Sequence, residues 1–280
     1  MDRYAVMGHP VAHSRSPQIH ALFARATGQH MVYECIGPDP DAFEEAVARF
    51  RAEGGKGLNV TLPFKERAYA LADRHSGRAQ AAGAANTLDF QAGDIYADNT
   101  DGVGLVRDLQ RNLACDLQGC SVLLLGAGGA ARGVVEPLLA AGAARLVVAN
   151  RTPSRAEGLL GELRQSGAIA RDRMNRCLAC GLDGIPRDSY DFVINATSGS
   201  LSGEVPSLPE GVFGPRTLAY DMVYGKGCTA FMAFARQKGA ARAVDGLGML
   251  VEQAAESFHL WRGVYPDTAP VLQLLRAELG

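Results

Sequence analysis

An α/β protein with two successive strand and helix series is what this sequence predicts, on three observations. Short apolar runs alternate with amphipathic segments from residue 4 to about residue 71, an order that favours parallel strands joined by helical crossovers. The alternation restarts at Ser121-Val122-Leu123-Leu124-Leu125, apolar at consecutive positions as a strand buried on both faces must be. Glycine supplies 33 of 280 residues, enough for many tight turns and close backbone approaches. No low-complexity linker separates the two series, so the boundary near residue 102 rests on the restart of the pattern.

The elements follow in order. Residues 4–7 form a first strand. In Ser16-Pro17-Gln18-Ile19, Ser caps a helix and Pro takes its first position; Ile19, Leu22, Phe23 and Ala26 make the apolar stripe and Gly28 ends it. A strand at 33–36, a helix at 40–52 with Phe43, Val47 and Phe50 inward, and a strand at 57–61 come next. A Pro63 turn then leads into a short helix, and a hairpin follows from 87–90 and 95–98. A helix from about residue 103 leads into the second series, whose strands are 121–125, 145–150, 192–196, 218–222 and 243–244. The stretch 167–184 lacks clear periodicity and reads as irregular. Helices at 249–262 and 270–279 close the chain.

Composition narrows the function classes. Lys and Arg number 28 against 30 Asp and Glu, so no charge excess points to nucleic acid or an anionic membrane surface. No apolar run approaches a membrane span, and Met1-Asp2-Arg3-Tyr4 lacks a signal-peptide core, which makes the cytoplasm the expected compartment. Six cysteines without an export signal read as reduced thiols, and Cys177 and Cys180 as a plain loop pair. Four ligands do not assemble around them, and Pro10 breaks the His9/His13 spacing, so no metal is expected.

Gly126-Ala127-Gly128-Gly129-Ala130-Ala131 fits G-x-G-x-x-A directly after a buried strand and directly before a helix, the setting the dinucleotide fingerprint requires. Gly126 would make the tight turn, Gly128 would let backbone meet pyrophosphate, and Ala131 would let helix and strand pack closely. The end of the next strand reads Asn150-Arg151-Thr152, then Arg155, with no acidic residue to bind a ribose diol. Guanidinium groups there favour a 2′-phosphate, so NADP is the expected cofactor. Residues 103–246 therefore read as a Rossmann-type unit.

Within residues 1–102, loops at the ends of strands collect Ser14, Arg15 and Ser16, then Asn59, Thr61 and Lys65, then Asn86 and Asp101. Hydroxyls, amides and charges converging there suit a polyhydroxylated, anionic small molecule. Each also has a plain structural role open to it, as cap, Asx-turn or surface charge. Taken together, the strings Ser14-Arg15-Ser16-Pro17, Asn59-Val60-Thr61-Leu62-Pro63-Phe64-Lys65, Gly83-Ala84-Ala85-Asn86-Thr87 and Asn99-Thr100-Asp101-Gly102 resemble the shikimate dehydrogenase family. Tyr220-Asp221-Met222-Val223-Tyr224 and Asp245-Gly246-Leu247-Gly248-Met249 extend that resemblance, which runs from about residue 4 to residue 275.

The resemblance implies NADPH-dependent reduction of 3-dehydroshikimate to shikimate in aromatic amino-acid biosynthesis. It also implies a substrate domain of residues 1–102 completed by helices from 247–280. Ser14, Ser16, Asn59, Thr61, Asn86, Asp101, Tyr224 and Gln253 would contact substrate, with Lys65 and Asp101 as the catalytic pair. Gly126, Ala127, Gly128, Gly129, Ala130, Asn150, Arg151, Thr152 and Arg155 would hold the cofactor, with Asn195, Thr197, Met222 and Gly246 toward its nicotinamide. Two features depart from the family pattern: Gly77 stands where many members carry an acid before Arg78, and residues 171–180 match nothing in it. A quinate-using, NAD-dependent relative tends to lack one of the paired serines and to carry an acid at position 151; a ligand sensor without turnover would lack Lys65 or Asp101. The oligomeric state stays open, a homodimer among the options.

Overall fold

A computed structural model describes residues 1–167, 169–197 and 199–280, the Leu201 side chain set aside, and among these residues the chain forms two six-stranded sheets. The first holds β1 (Asp2–Met7), β2 (Met31–Ile36), β3 (Gly55–Val60), β4 (Arg74–His75), β5 (Thr87–Asp89) and β6 (Tyr96–Asp98) in the spatial order β2-β1-β3-β5-β6-β4. Its central strand β1 pairs parallel with β2 and β3 through the crossover helices α1 (Ser16–Thr27) and α2 (Phe43–Ala52). Phe43, Val47 and Phe50 of α2 bury against Ala5, Leu58 and Val60, the face that their helical spacing predicts. Beyond β3 the sheet turns antiparallel, and β5 and β6 form the expected hairpin. Two short helices, α3 (Lys65–Leu71) and α4 (Gly77–Ala82), lie between β3 and β5.

The second sheet holds β7 (Ser121–Leu125), β8 (Arg145–Asn150), β9 (Cys177–Gly181), β10 (Phe192–Asn195), β11 (Leu218–Asp221) and β12 (Arg242–Val244). Every pairing in the order β12-β11-β10-β7-β8-β9 is parallel. This is the doubly wound arrangement, whose direction reverses between β7 and β10 and opens a crevice at the carboxyl ends of those strands. Residues 122–125 are fully buried, as their unbroken apolar run predicts. The accompanying helices are α5 (Asp101–Arg107), α6 (Gly129–Ala140), α7 (Pro153–Ser166), α8 (Arg171–Met174) and α9 (Ala230–Gln237). The last two helices, α10 (Leu247–Arg262) and α11 (Ala269–Leu279), return to the first half of the chain. Leu247, Val251, Phe258, Val271 and Leu275 share one buried cluster with Ile19 and Phe23 of α1.

Three local expectations are corrected. Ser16 does not cap α1: the cap position is Arg15, without a side-chain bond, and Ser16 lies inside the first turn. The stretch 167–184 contains α8 and the edge strand β9, paired with β8, so Cys177 and Cys180 lie in a strand; Ala168 is outside the described residues. Small, half-exposed side chains in Cys177-Leu178-Ala179-Cys180-Gly181 blur the period-2 signal of an edge strand, and burial pushes the Cys177 thiol up to about 11. The helix expected from residue 103 begins at Asp101 and continues into a π-helical turn over Asp108–Asn112.

Candidate active site

Lys65 and Asp101 meet across two strand ends. Lys65 opens α3 just past β3, Asp101 opens α5 just past β6, and Lys65 Nζ donates to Asp101 Oδ2 at 2.5 Å. The side chains are 16% and 10% exposed, so the pair is screened from bulk water but open on one side. The other carboxylate oxygen, Oδ1, accepts from Asn86 Nδ2 at 2.9 Å. With one oxygen on an amide and the other on an ammonium, the carboxylate cannot rotate freely.

Behind this pair lies a buried polar layer. Asn86 Oδ1 accepts from the Thr100 N–H at 2.8 Å and the Thr87 hydroxyl at 2.9 Å, while its Nδ2 also lies 3.1 Å from Gln253 Oε1. Asn59 Oδ1 accepts from the Tyr33 hydroxyl at 2.7 Å, and its Nδ2 lies 2.9 Å from Ser257 Oγ and 3.1 Å from Thr87 Oγ1. Both amides, expected at the substrate, therefore spend their hydrogen bonds on protein partners. Gln253 likewise gives its Nε2 to the Leu250 carbonyl at 2.9 Å.

More open groups line the neighbouring strand ends. The Ser14 hydroxyl oxygen accepts the Ser16 N–H at 3.2 Å, which holds both serines in one turn. The Thr61 N–H donates to the Met7 carbonyl at 2.9 Å, and among the described residues the Thr61 hydroxyl has no protein partner. Tyr224, from the loop after β11, packs against the α1, α10 and α11 cluster. Burial raises its phenol pKa, and the Arg15 charge opposes that shift. Sequence reasoning missed Tyr33 and Ser257, and gave Thr87 and Thr100 no role although both stand inside quoted strings. Ser257 carried one faint signal, a hydroxyl at a helical position between Ala254 and Phe258, both buried.

On the second sheet, Gly126 leaves β7 with φ +108, a conformation side chains avoid, and its N–H donates to the Ala149 carbonyl at 2.8 Å. Gly128 is extended and precedes α6 without any side-chain cap, which leaves the first N–H groups of that helix unpaired. A Cβ at Gly128 or Gly129 would meet nothing within 4 Å, so those two residues of the turn Gly126, Ala127, Gly128, Gly129 and Ala130 front open space, as phosphate binding at a helix N-terminus needs, whereas a Cβ at Gly126 would lie 3.1 Å from the Thr197 methyl. Ala131 is fully buried where the helix meets the sheet.

At the end of β8, Asn150 Nδ2 donates to the Thr152 carbonyl at 3.0 Å. Arg151 and Arg155 are exposed and, among the described residues, have no ion-pair partner, so both guanidinium groups are free for an anion. Asn195 is fully buried and holds Thr197 through its Oδ1, which accepts from the Thr197 hydroxyl at 2.7 Å. Its Nδ2 donates to Asp221 at 3.0 Å. Met222 and Gly246 adjoin, because a Cβ on Gly246 would lie 2.4 Å from the Met222 carbonyl oxygen. Gly77, by contrast, fronts open space at the start of α4, while Arg78 pairs with Asp98 and Glu256.

The donor set fits a dinucleotide bearing an extra phosphate beside a small hydroxylated acid. Residues 6–88 match the shikimate dehydrogenase substrate binding domain, 108–201 the shikimate / quinate 5-dehydrogenase family, and 246–276 the shikimate 5′-dehydrogenase C-terminal domain. Shikimate dehydrogenase (NADP(+)) of Nitrosospira multiformis is 55% identical over 279 residues, which cover 100% of this chain and 98% of that protein. The enzyme of the same name from Cupriavidus necator is 56% identical, with coverage of 99% and 94%. Among solved structures, an Ael1 enzyme from Pseudomonas putida superposes with a TM-score of 0.90 at 50% identity, covering 98% of each chain. Shikimate 5-dehydrogenase from Thermus thermophilus, in complex with NADP(H) and shikimate, superposes with a TM-score of 0.83 at 34% identity, covering 99% of each. Site geometry, order of motifs and full-length identity agree: the chain belongs to the shikimate dehydrogenase family.

Proposed function

We propose that Lys65 and Asp101 are the reacting pair of this chain, an NADP-dependent shikimate dehydrogenase that interconverts 3-dehydroshikimate and shikimate in aromatic amino-acid biosynthesis. The observation that carries the role of the pair is its place: a partly buried ammonium and carboxylate at 2.5 Å, at strand ends, with Lys65 inside the residues that match a substrate binding domain and Asp101 shortly after them. NADPH, when bound, supplies the hydride that reduces the ketone carbon. Lys65 Nζ stabilises the charge that develops on the ketone oxygen and delivers a proton to it; in the reverse direction it receives the hydroxyl proton. Asp101 keeps that ammonium aimed, because its second oxygen is anchored on Asn86.

Ser14 and Ser16 bind the substrate carboxylate, and Thr61, Tyr224 and the outer edge of Gln253 reach its ring hydroxyls. Asn59 and Asn86 serve the same site from the layer behind. The glycine turn at 126–130 takes the pyrophosphate, Arg151, Thr152 and Arg155 take the 2′-phosphate, and Thr197, Met222 and Gly246 flank the nicotinamide. Asn150 and Asn195 brace those contacts. The reading goes with domain limits of 1–102 plus 247–280 and 103–246, and with a cytoplasmic setting; among the described residues no helix is long and apolar enough to cross a membrane.

Lys65→Ala tests the pair. A proton donor acting on the reacting oxygen contributes about 10² to 10⁴-fold, so kcat falls by that factor while substrate KM stays within several-fold. A Lys65→Ala enzyme that keeps half its kcat removes the residue from the chemistry.

A further inference from the structure

A fully buried hydroxyl on β5 joins the two amides behind the reacting pair. Thr87 accepts from Asn59 Nδ2 at 3.1 Å and donates to Asn86 Oδ1 at 2.9 Å, and it is 0% exposed. The direction of these bonds follows from proton counting. Tyr33 donates to Asn59 Oδ1, so the nitrogen of that amide faces Thr87 and the Thr87 oxygen must accept. Ser257 Oγ lies 2.8 Å from the Thr87 hydroxyl and accepts from the second Asn59 Nδ2 proton at 2.9 Å, so its own proton is available to donate to Thr87. The single Thr87 proton is left for Asn86 Oδ1.

An amide held by its oxygen presents its nitrogen at the opposite end. Asn86 Nδ2 therefore points at Asp101 Oδ1, 2.9 Å away, and the carboxylate turns its other oxygen to Lys65. Rotated by half a turn, the same amide would set a carbonyl oxygen against the carboxylate and push it off Lys65. The Thr100 N–H opposes that rotation from one side, and Thr87 opposes it from the other. We propose that Thr87 is a positioning residue for the reaction, which fixes the Asn86 amide and through it the Asp101 carboxylate that aims Lys65. This rests on the reading of Lys65 and Asp101 as the reacting pair.

Thr87→Val removes the hydroxyl and keeps the shape and β-branching that a buried strand favours. With the hydroxyl goes the bond that holds the Asn86 amide, and the misaimed carboxylate lowers kcat about tenfold, with KM for NADP within about twofold and substrate KM within about threefold. Thr87→Ser, which restores the hydroxyl, returns kcat to within about threefold of the parent. A structural role alone would lower stability in both variants without this split or this rescue. Parental kcat in Thr87→Val, an equal fall in Val and Ser, or a change confined to KM would each overturn the proposal. If Thr87→Val does not fold, Thr87→Ala carries the same expectations. Lys65→Ala, measured alongside, separates the two levels. Retained activity there defeats the reading of the pair, whereas its loss together with a fully active Thr87→Val defeats only the role of Thr87.

Discussion

His20, on α1 one turn beyond the paired serines, stacks on Tyr33 at 4.2 Å between ring centroids and is 0% exposed, with no partner on either ring nitrogen among the described residues. Burial lowers its pKa to about 3 from an ordinary 6.5. The folded state thus holds the imidazole neutral, while the unfolded chain takes up a proton below pH 6.5, so stability is lost as pH falls from about 6.5 toward about 3. One proton of difference gives a slope of about 1.4 kcal/mol per pH unit. Urea melts of His20→Phe between pH 4 and 6 should show that slope reduced by about one proton; an unchanged slope means that His20 does not titrate this way. Arg151 makes a second test. Charge-assisted bonds are worth about 1.5 to 3 kcal/mol, so Arg151→Ala weakens NADP by about 10 to 100-fold and leaves NAD nearly untouched. Equal weakening of both cofactors would show the residue stacking on adenine or holding the fold. Single residues also mark how far the sequence could be read. Lys65, Asp101 and the glycine turn stand in recognisable strings, but that Asn59 bonds inward depends on Tyr33 and Ser257, 26 and 198 positions from it, which no local pattern reports.

Between elements, α5 and α6, which begin at Asp101 and in the glycine turn, form a close junction. A Cβ on Gly102 would lie 2.3 Å from the Gly133 carbonyl oxygen and equally close to Pro137, so the two helices touch backbone to backbone. Gly102→Ala must part them, and overpacking of this kind costs about 1 to 3 kcal/mol. The expected outcome is a lowered melting temperature together with reduced kcat, since the two halves of the site shift relative to one another; an unaffected kcat would show that the helices do not set that geometry. Element order in both series was legible because long apolar runs and helical stripes are strong signals. What escaped were short edge elements, β4 with two residues and β9 with small side chains, whose pairing depends on a neighbouring strand more than on their own pattern.

At the level of the molecule, helices from the end of the chain return across the second sheet's sequence to pack on the first half. Phe258, Val251 and Leu247 on α10 share a buried cluster with Ile19 and Phe23, so the serine turn at the start of α1 rests on residues more than 200 positions away. The same α10 carries Gly246 at its cap position, beside Met222, and Gln253 on its second turn, against Asn86, and so joins the two parts of the proposed site. Such an arrangement should commit the enzyme to one acid and one dinucleotide. The direct test is a steady-state comparison of four pairs: shikimate or quinate, each with NADP or NAD. The carboxylate-bearing carbon of shikimate is trigonal, part of a ring double bond, whereas that of quinate is tetrahedral and carries a hydroxyl, which the proposed binding of the carboxylate by Ser14 and Ser16 would leave little room for. Shikimate with NADP should therefore have the highest kcat/KM, and added salt should narrow its lead over shikimate with NAD by screening the phosphate from Arg151 and Arg155. Equal or greater efficiency with quinate and NAD would contradict the account.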